Sequence, residues 1–231
     1  MKIDPEGPAD TRMMGIVHGA LRRDLYRARL VLEAGEVSAE RRDALATHLL
    51  WMMDFLHHHH HGEDVGLYPM LLERDPSSAA ILAEMDGEHR RVEPAVDALV
   101  EAAREPEAGT LLAAVRGLEE VLVPHLHREE SELMPLVSAA ITEREWSAWT
   151  QQMKEDGAAG LPELAHEAHW MLDGLQGEDR TVLLHMVPAV PRFVLLHLLG
   201  GPYKRKHALL WGGTAAADVG SLDLAATAAL S

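Results

Sequence analysis

Apolar residues recur every three or four positions along four long stretches of the chain. In residues 11–33, Met14, Val17, Leu21, Leu25, Ala28 and Leu32 fall on one stripe, which Ala34-Gly35-Glu36-Val37 interrupts. Residues 38–72 carry Leu45, Leu49, Met52 and Leu56, and Asp75-Pro76-Ser77 breaks the pattern. Residues 77–104 carry Leu82, Met85, Val92, Val96 and Leu99, and residues 108–140 carry Leu111, Val115, Leu118, Leu122 and Leu136. A period near 3.6 gives each helix one face to bury. Four such helices joined by short loops predict an all-α, antiparallel up-down four-helix bundle, because a short connection returns the chain alongside itself.

The pattern changes at residue 142, where Thr142-Glu143-Arg144-Glu145 spells a capping box. Further helical stretches are expected over 143–157, 161–173 and 178–199, with Gly157, Gly160, Gly174 and Gly177 between them. The expected division is therefore a bundle over 1–141, a helical extension over 142–211 and a tail over 212–231. That tail is mostly Gly, Ala, Ser and Asp, has little to pack, and is expected to fray.

Composition narrows the function. At 47% hydrophobic over 231 residues the chain can bury a sizeable core, which excludes general disorder. The absence of cysteine excludes disulfides, zinc-thiolate sites, iron–sulfur clusters and thiol nucleophiles. Acidic residues outnumber basic ones 37 to 21, the wrong balance for phosphate backbones, so no nucleic-acid partner is expected. No apolar run reaches the ~18–20 residues that span a bilayer, and no leader opens the chain, so a soluble, cytoplasmic protein without a membrane partner is expected. The anomaly is histidine, of which there are fifteen.

Helical phase sorts them. His18 lies four past Met14 and three before Leu21. The second stripe runs on to His59 and Glu63, the third to His89 and Glu93, and the fourth to His125 and Glu129. Residues four apart share a helical face, so each His-x-x-x-Glu pair can serve one metal cluster. Seven groups thus point inward: His18, His59, Glu63, His89, Glu93, His125 and Glu129. Three core-facing carboxylates with no Lys or Arg on the stripes call for polyvalent cations. Two ions would share the seven ligands.

An internal duplication picks the same register. Residues 59–69 and 125–135 both read H-x-H-x-E-[DE]-x-x-L-x-P. With this repeat in place, the chain over residues 10–140 resembles the hemerythrin-like (HHE cation-binding) family, of the bacterial and actinobacterial type. The resemblance implies a four-helix bundle around a non-haem di-iron centre with a μ-oxo or hydroxo bridge. Glu63 and Glu129 match its bridging carboxylates, and His18, His59, His89 and His125 its terminal ligands. Glu93 stands where oxygen-carrying members have histidine. Glu130 stands at the spacing of their last bridging carboxylate, whereas core phase favours Glu129.

Around this set, His60, His127, Glu130 and Tyr68 are candidates for ligands or for groups that support them. Pro94 is expected to kink the third helix and change how Glu93 is presented. His57, His58 and His61 read as rim residues, and His166, His169, His185, His197 and His207 as structural, because they lack a repeated carboxylate spacing. Sulfur-free imidazole and carboxylate ligation suits iron, ahead of manganese or zinc. A third carboxylate would lower the charge of the pair and favour reaction with peroxide or NO over reversible carriage of O₂. The expected function is binding or reduction of O₂, H₂O₂ or NO in stress defence or sensing, with peroxidase- or catalase-like activity. The alternatives are a small-molecule oxidase or oxygenase whose C-terminal region builds the pocket, and a metal-stabilised binding protein.

Overall fold

The computed structural model describes residues 4–156, 160–185 and 189–222; within helices the side chains of Lys154, Asp156, Ala189, Val190, Pro191, Leu195 and His197 are not described. His197, read from the sequence as structural, and residues 223–231 of the expected tail therefore lie outside the description. The bundle is built from α1 (Arg12–Glu33), α2 (Ala39–Gly62), α3 (Tyr68–Arg74), α4 (Ala79–Arg104), α5 (Ala108–Arg128) and α6 (Met134–Ala140). α3 and α6 are continuations of α2 and α5 beyond two π-turns, Glu63–Leu67 and Glu129–Leu133.

Those two turns are where the duplicated motif sits. In each, the amide of the residue after the turn donates to the carbonyl five residues back, Tyr68 to Glu63 and Met134 to Glu129. Pro69 and Pro135 follow immediately. A proline lacks the amide and presses its ring on the carbonyl four residues earlier, so a widened turn ahead of it relieves a clash that a regular helix would keep. Pro94, by contrast, lies inside a continuous α4.

α5 packs between α1 and α4, and α2 packs on the other side of α4. Leu21, Leu25, Leu45, Leu49, Leu99, Leu111, Leu118 and Leu122 fill the interior below the motif, all fully buried. Ser38 caps α2 through its side chain.

Beyond the bundle lie α7 (Glu143–Asp156), α8 (Leu161–Leu172), α9 (Gly177–His185), α10 (Ala189–Leu198) and α11 (Gly200–Trp211). The Thr142 capping box forms as expected, with Thr142 N donating to Glu145 Oε2 at 3.0 Å and Glu145 N to Thr142 Oγ1 at 3.3 Å. Gly174 and Gly177 take positive φ, +67° and +60°, and break the chain between α8 and α9. α9 and α10 replace the single stretch expected over 178–199, and α11 went unpredicted because its apolar residues are sparse.

α8 packs on α1, and α11 on α2 and α8. As a result α1 is buried on its polar side too, where Arg23, Asp24 and Arg27 are almost wholly enclosed. Asp24 receives Arg23 Nε at 2.7 Å, Arg27 Nη1 at 3.2 Å, His48 Nε2 at 2.7 Å and Trp170 Nε1 at 3.0 Å. Burial alone would raise its pKa, but the Arg23 guanidinium and His48 hold it far below the usual carboxylate range. Residues 212–222, expected to fray, return to α1: Ala216 is fully buried, and Arg22 Nε donates to the Leu222 carbonyl at 2.9 Å.

Candidate metal centre

Six of the seven groups singled out by phase converge where the two π-turns face each other. His18 comes from α1, His59 from α2, His89 from α4 and His125 from α5, while Glu63 and Glu129 open the two π-turns. The ligand atoms of His18, His59, Glu63 and Glu129 all lie within 4.8 Å of one another. His60, His89 and His125 form a second group meeting the same limit. Glu63 reaches both groups, its Oε1 3.1 Å from His59 Nε2 and its Oε2 3.5 Å from His89 Nε2. Glu129 does the same through Oε2, 3.5 Å from His18 Nε2 and 3.9 Å from His125 Nε2.

The chemistry of this donor set fits cations. Both glutamates are fully buried, and none of their four carboxylate oxygens has a hydrogen-bond partner. Nε2 of His60 and of His125 is also buried without one. Native proteins rarely leave such groups unsatisfied, since each costs ~1–3 kcal/mol and a charge costs more. Burial, then the negative charge of Glu129, pushes the Glu63 pKa well up, and burial raises Glu129. Burial and neighbouring imidazoles push His59 and His60 well down and His125 to about 2. Those three imidazoles are therefore neutral, with lone pairs available, and burial disfavours the ionised form of both carboxyls. Bound divalent or trivalent ions would supply the positive charge that favours that form.

Three histidines are aimed by carboxylates behind them. His18 Nδ1–H donates to Glu130 Oε1 at 2.9 Å, His89 Nδ1–H to Asp64 Oδ1 at 2.9 Å, and His125 Nδ1–H to Glu88 Oε2 at 3.1 Å. A carboxylate can only accept, so each bond fixes the tautomer that leaves Nε2 free to ligate. Burial would raise Glu130, but His18 and Arg22 outweigh it and keep it ionised. Arg22 Nη1 lies 2.6 Å from Glu130, and Arg128 pairs with Glu88.

Glu93 lies apart from the other six, and His60, a lesser candidate, joins them. Glu93 is exposed and stands outside both groups. The core face of α4 passes from Met85 and His89 to Val92, three residues on, so Glu93 turns toward the cleft between α2 and α4. The expected change at Pro94 is not needed to explain this. His60 takes its place in the set: its ring stacks on His89 at 4.1 Å between centroids and meets His125 edge-on at 5.2 Å. In the second copy of the motif the equivalent position is Leu126, which is fully buried. That break in the repeat was the available signal.

Of the remaining candidates, Glu130 supports His18 from outside the set, and the Tyr68 hydroxyl lies 3.4 Å from His89 Nε2. His127, His57, His58 and His61 are exposed. Asp64 and Glu88 were missed. Asp64 was legible, since it holds the same [DE] position as Glu130; Glu88 has no repeat to mark it.

Two clefts approach the second group. One, of about 390 Å³ between α2 and α4, is lined by His60, Asp64, His89 and Glu93 among others. The other, of about 180 Å³ between α4 and α5, reaches His125. Among the described residues, no helix is long and apolar enough to cross a membrane.

The model of the hemerythrin HHE cation-binding domain family matches residues 10–137, more than half of the chain, and the chain belongs to that family. No curated protein and no solved structure matches it.

Proposed function

We propose that this hemerythrin HHE cation-binding domain holds two iron ions and uses them to bind and reduce O₂, H₂O₂ or NO. The observation that carries the reading is the pair of fully buried, unpartnered carboxylates ringed by five imidazoles. His18 and His59 would hold one ion and His60, His89 and His125 the other, with Glu63 and Glu129 spanning the two. Iron supplies redox electrons and open coordination positions. Asp64, Glu88 and Glu130 keep three imidazoles in the ligating tautomer, and the Tyr68 hydroxyl sits where it can donate a hydrogen bond to a small ligand entering beside His89.

With Glu93 outside the set, two carboxylates rather than three temper the charge of the pair. That donor balance suits holding a small oxygen species, so its reduction depends on electrons delivered from elsewhere. Among the described residues, both clefts are lined by the bundle alone. This supports a diatomic or peroxide ligand over a larger molecule seated against the C-terminal helices.

The test is iron content with a visible spectrum before and after peroxide, azide or NO. Two irons per chain and near-ultraviolet absorption that responds to these ligands are expected. Colourless protein after iron reconstitution overturns the proposal, and unchanged behaviour after full replacement by zinc would establish a purely structural metal.

A further inference from the structure

A row of aromatic rings leads from the candidate metal centre to the surface of the C-terminal extension. His59 stacks against Phe55 with centroids 6.4 Å apart. Phe55 meets Trp170 at 5.1 Å, Trp170 meets Trp51 at 5.1 Å, Trp51 meets His166 at 4.5 Å, and His166 meets Tyr203 at 5.5 Å. Aromatic pairs are common in cores and alone would say only that these helices pack. Three polar contacts say more.

The Trp170 indole N–H donates to Asp24 Oδ2 at 3.0 Å. The charge of Asp24 is offset by Arg23 and Arg27, which pair with its other oxygen. What it gives Trp170 is a fixed, buried hydrogen-bond acceptor, and a strong acceptor at an indole N–H makes the ring easier to oxidise. Lys206 Nζ lies 5.4 Å from the centroid of the Trp51 ring, and positive charge there makes that ring harder to oxidise. The Tyr203 hydroxyl donates to Asp173 Oδ2 at 3.1 Å, an oxygen that also receives Arg27 Nη1 at 2.5 Å and lies 3.4 Å from His207 Nε2, and this carboxylate is the acceptor for the phenolic proton. Oxidising equivalents would thus rest on Trp170 and Tyr203 and pass quickly across Trp51. Tyr203 is half-buried, and beside it Lys204 and Arg205 are exposed on a strongly acidic chain.

We propose that Phe55, Trp170, Trp51, His166 and Tyr203 form a one-electron path between the metal pair and an anionic reductant docking at Lys204 and Arg205. The proposal rests on the di-iron reading above. Tyr203 gives one electron to the path while its proton moves to Asp173 Oδ2. The reductant returns the electron, and the proton comes back to the phenol. Two such cycles supply the two electrons by which H₂O₂, with two protons from solvent, becomes two waters, and two equivalents of reductant are oxidised by one electron each.

The experiment is freeze-quench electron paramagnetic resonance of the full iron-loaded chain, its iron first oxidised to Fe(III), after one equivalent of H₂O₂ without reductant, followed by a repeat with ascorbate present. The wild type should show a tyrosyl radical that ascorbate removes. Tyr203→Phe should lose the tyrosyl signal and keep an indolyl one, and Trp170→Phe should lose both. Iron content and the near-ultraviolet band are read on the same samples. Should peroxide change that band with no organic radical, or should the radical survive unchanged in both variants, the path is overturned while the di-iron reading stands. A chain that takes up no iron overturns both.

Discussion

Asp64 and Glu130 hold equivalent positions in the two copies of the motif, and each accepts a hydrogen bond from Nδ1 of a histidine on a different helix, His89 and His18 respectively. Each copy therefore supplies a carboxylate to the cluster and, one residue later, a carboxylate that aims a neighbour's ligand. Replacing the second kind leaves the seven residues of the two groups in place. Asp64→Asn and Glu130→Gln are expected to weaken iron binding ~10–100-fold by releasing the imidazole tautomer. Competition against a chelator measures it, and unchanged affinity in both would mean that the bonds do not position the rings.

Glu63→Gln is expected to move stability in opposite directions with and without metal. In the metal-free chain it removes a buried ionisable group and should gain about 1–3 kcal/mol. In iron-loaded protein it should lose metal and melt earlier than wild type. Paired thermal melts with metal analysis check this, and a variant that melts in parallel with wild type in both states would contradict it.

His60 and Glu93 are separated by a simpler comparison. His60→Ala should lose one iron of two, because His60 is one of three imidazoles in its group. Glu93→Ala should keep both, because its carboxylate faces the cleft rim. Metal stoichiometry on the purified variants decides.

Helix geometry accounts for where the structure puts Glu93 and His60. Four residues along a helix return to nearly the same face, but α4 continues its buried stripe by three, through Val92, and the drift carries Glu93 outward. On α2 the cluster lies between His59, toward α1, and His60, toward α4, so one helix serves both groups. Period alone made the all-α bundle legible and put His18, His59, Glu63, His89, Glu129 and His125 where the structure brings them together, and the repeat independently chose the register of His59, Glu63, His125 and Glu129. The π-turns leave their trace in the spacing as well as in the Leu-x-Pro that closes each motif: His59, Glu63, Leu67 and Leu71, like His125, Glu129, Leu133 and Val137, are buried at intervals of four, which drifts about 40° a step on a regular helix and keeps to one face only where a turn widens. The Asp24 network was hidden for another reason. Charged residues on the outer side of α1 read as solvated until the extension covers them.

That network gives a stability prediction away from the metals. Asp24→Ala leaves Arg23 and Arg27 enclosed without their shared carboxylate and is expected to cost about 3–5 kcal/mol. Urea unfolding at neutral pH should show it, with iron stoichiometry in the folded protein unchanged.

Lys206 makes stability depend on alkaline pH. Burial lowers its pKa from 10.5 to about 8. Between those values the unfolded chain binds a proton that the folded chain does not, so stability rises with pH across the window and is diminished at neutral pH, where both forms are charged. The side chain is partly solvated, which trims the effect to about 1–2 kcal/mol. Relative to Lys206→Met, the wild type should gain stability from pH 8 to pH 10.5, and equal slopes would show that the ammonium is fully hydrated.

The two motif copies are near-twins in their carboxylates, yet they are not interchangeable. At the position held by Arg128 in one copy the other has Gly62, and a Cβ there would run into Met153 Sδ on α7. Gly66, a turn later, meets Trp149 in the same way, and Trp149 Nε1 donates to the Gly62 carbonyl at 3.1 Å. A chimera carrying the second motif twice would keep His, Glu and acid at the right spacing and still push Met153 and Trp149 of α7 out of their places. The first metal turn is thus shaped for a helix that lies outside the bundle, and a chain cut at residue 141 would carry a cluster with one wall left bare.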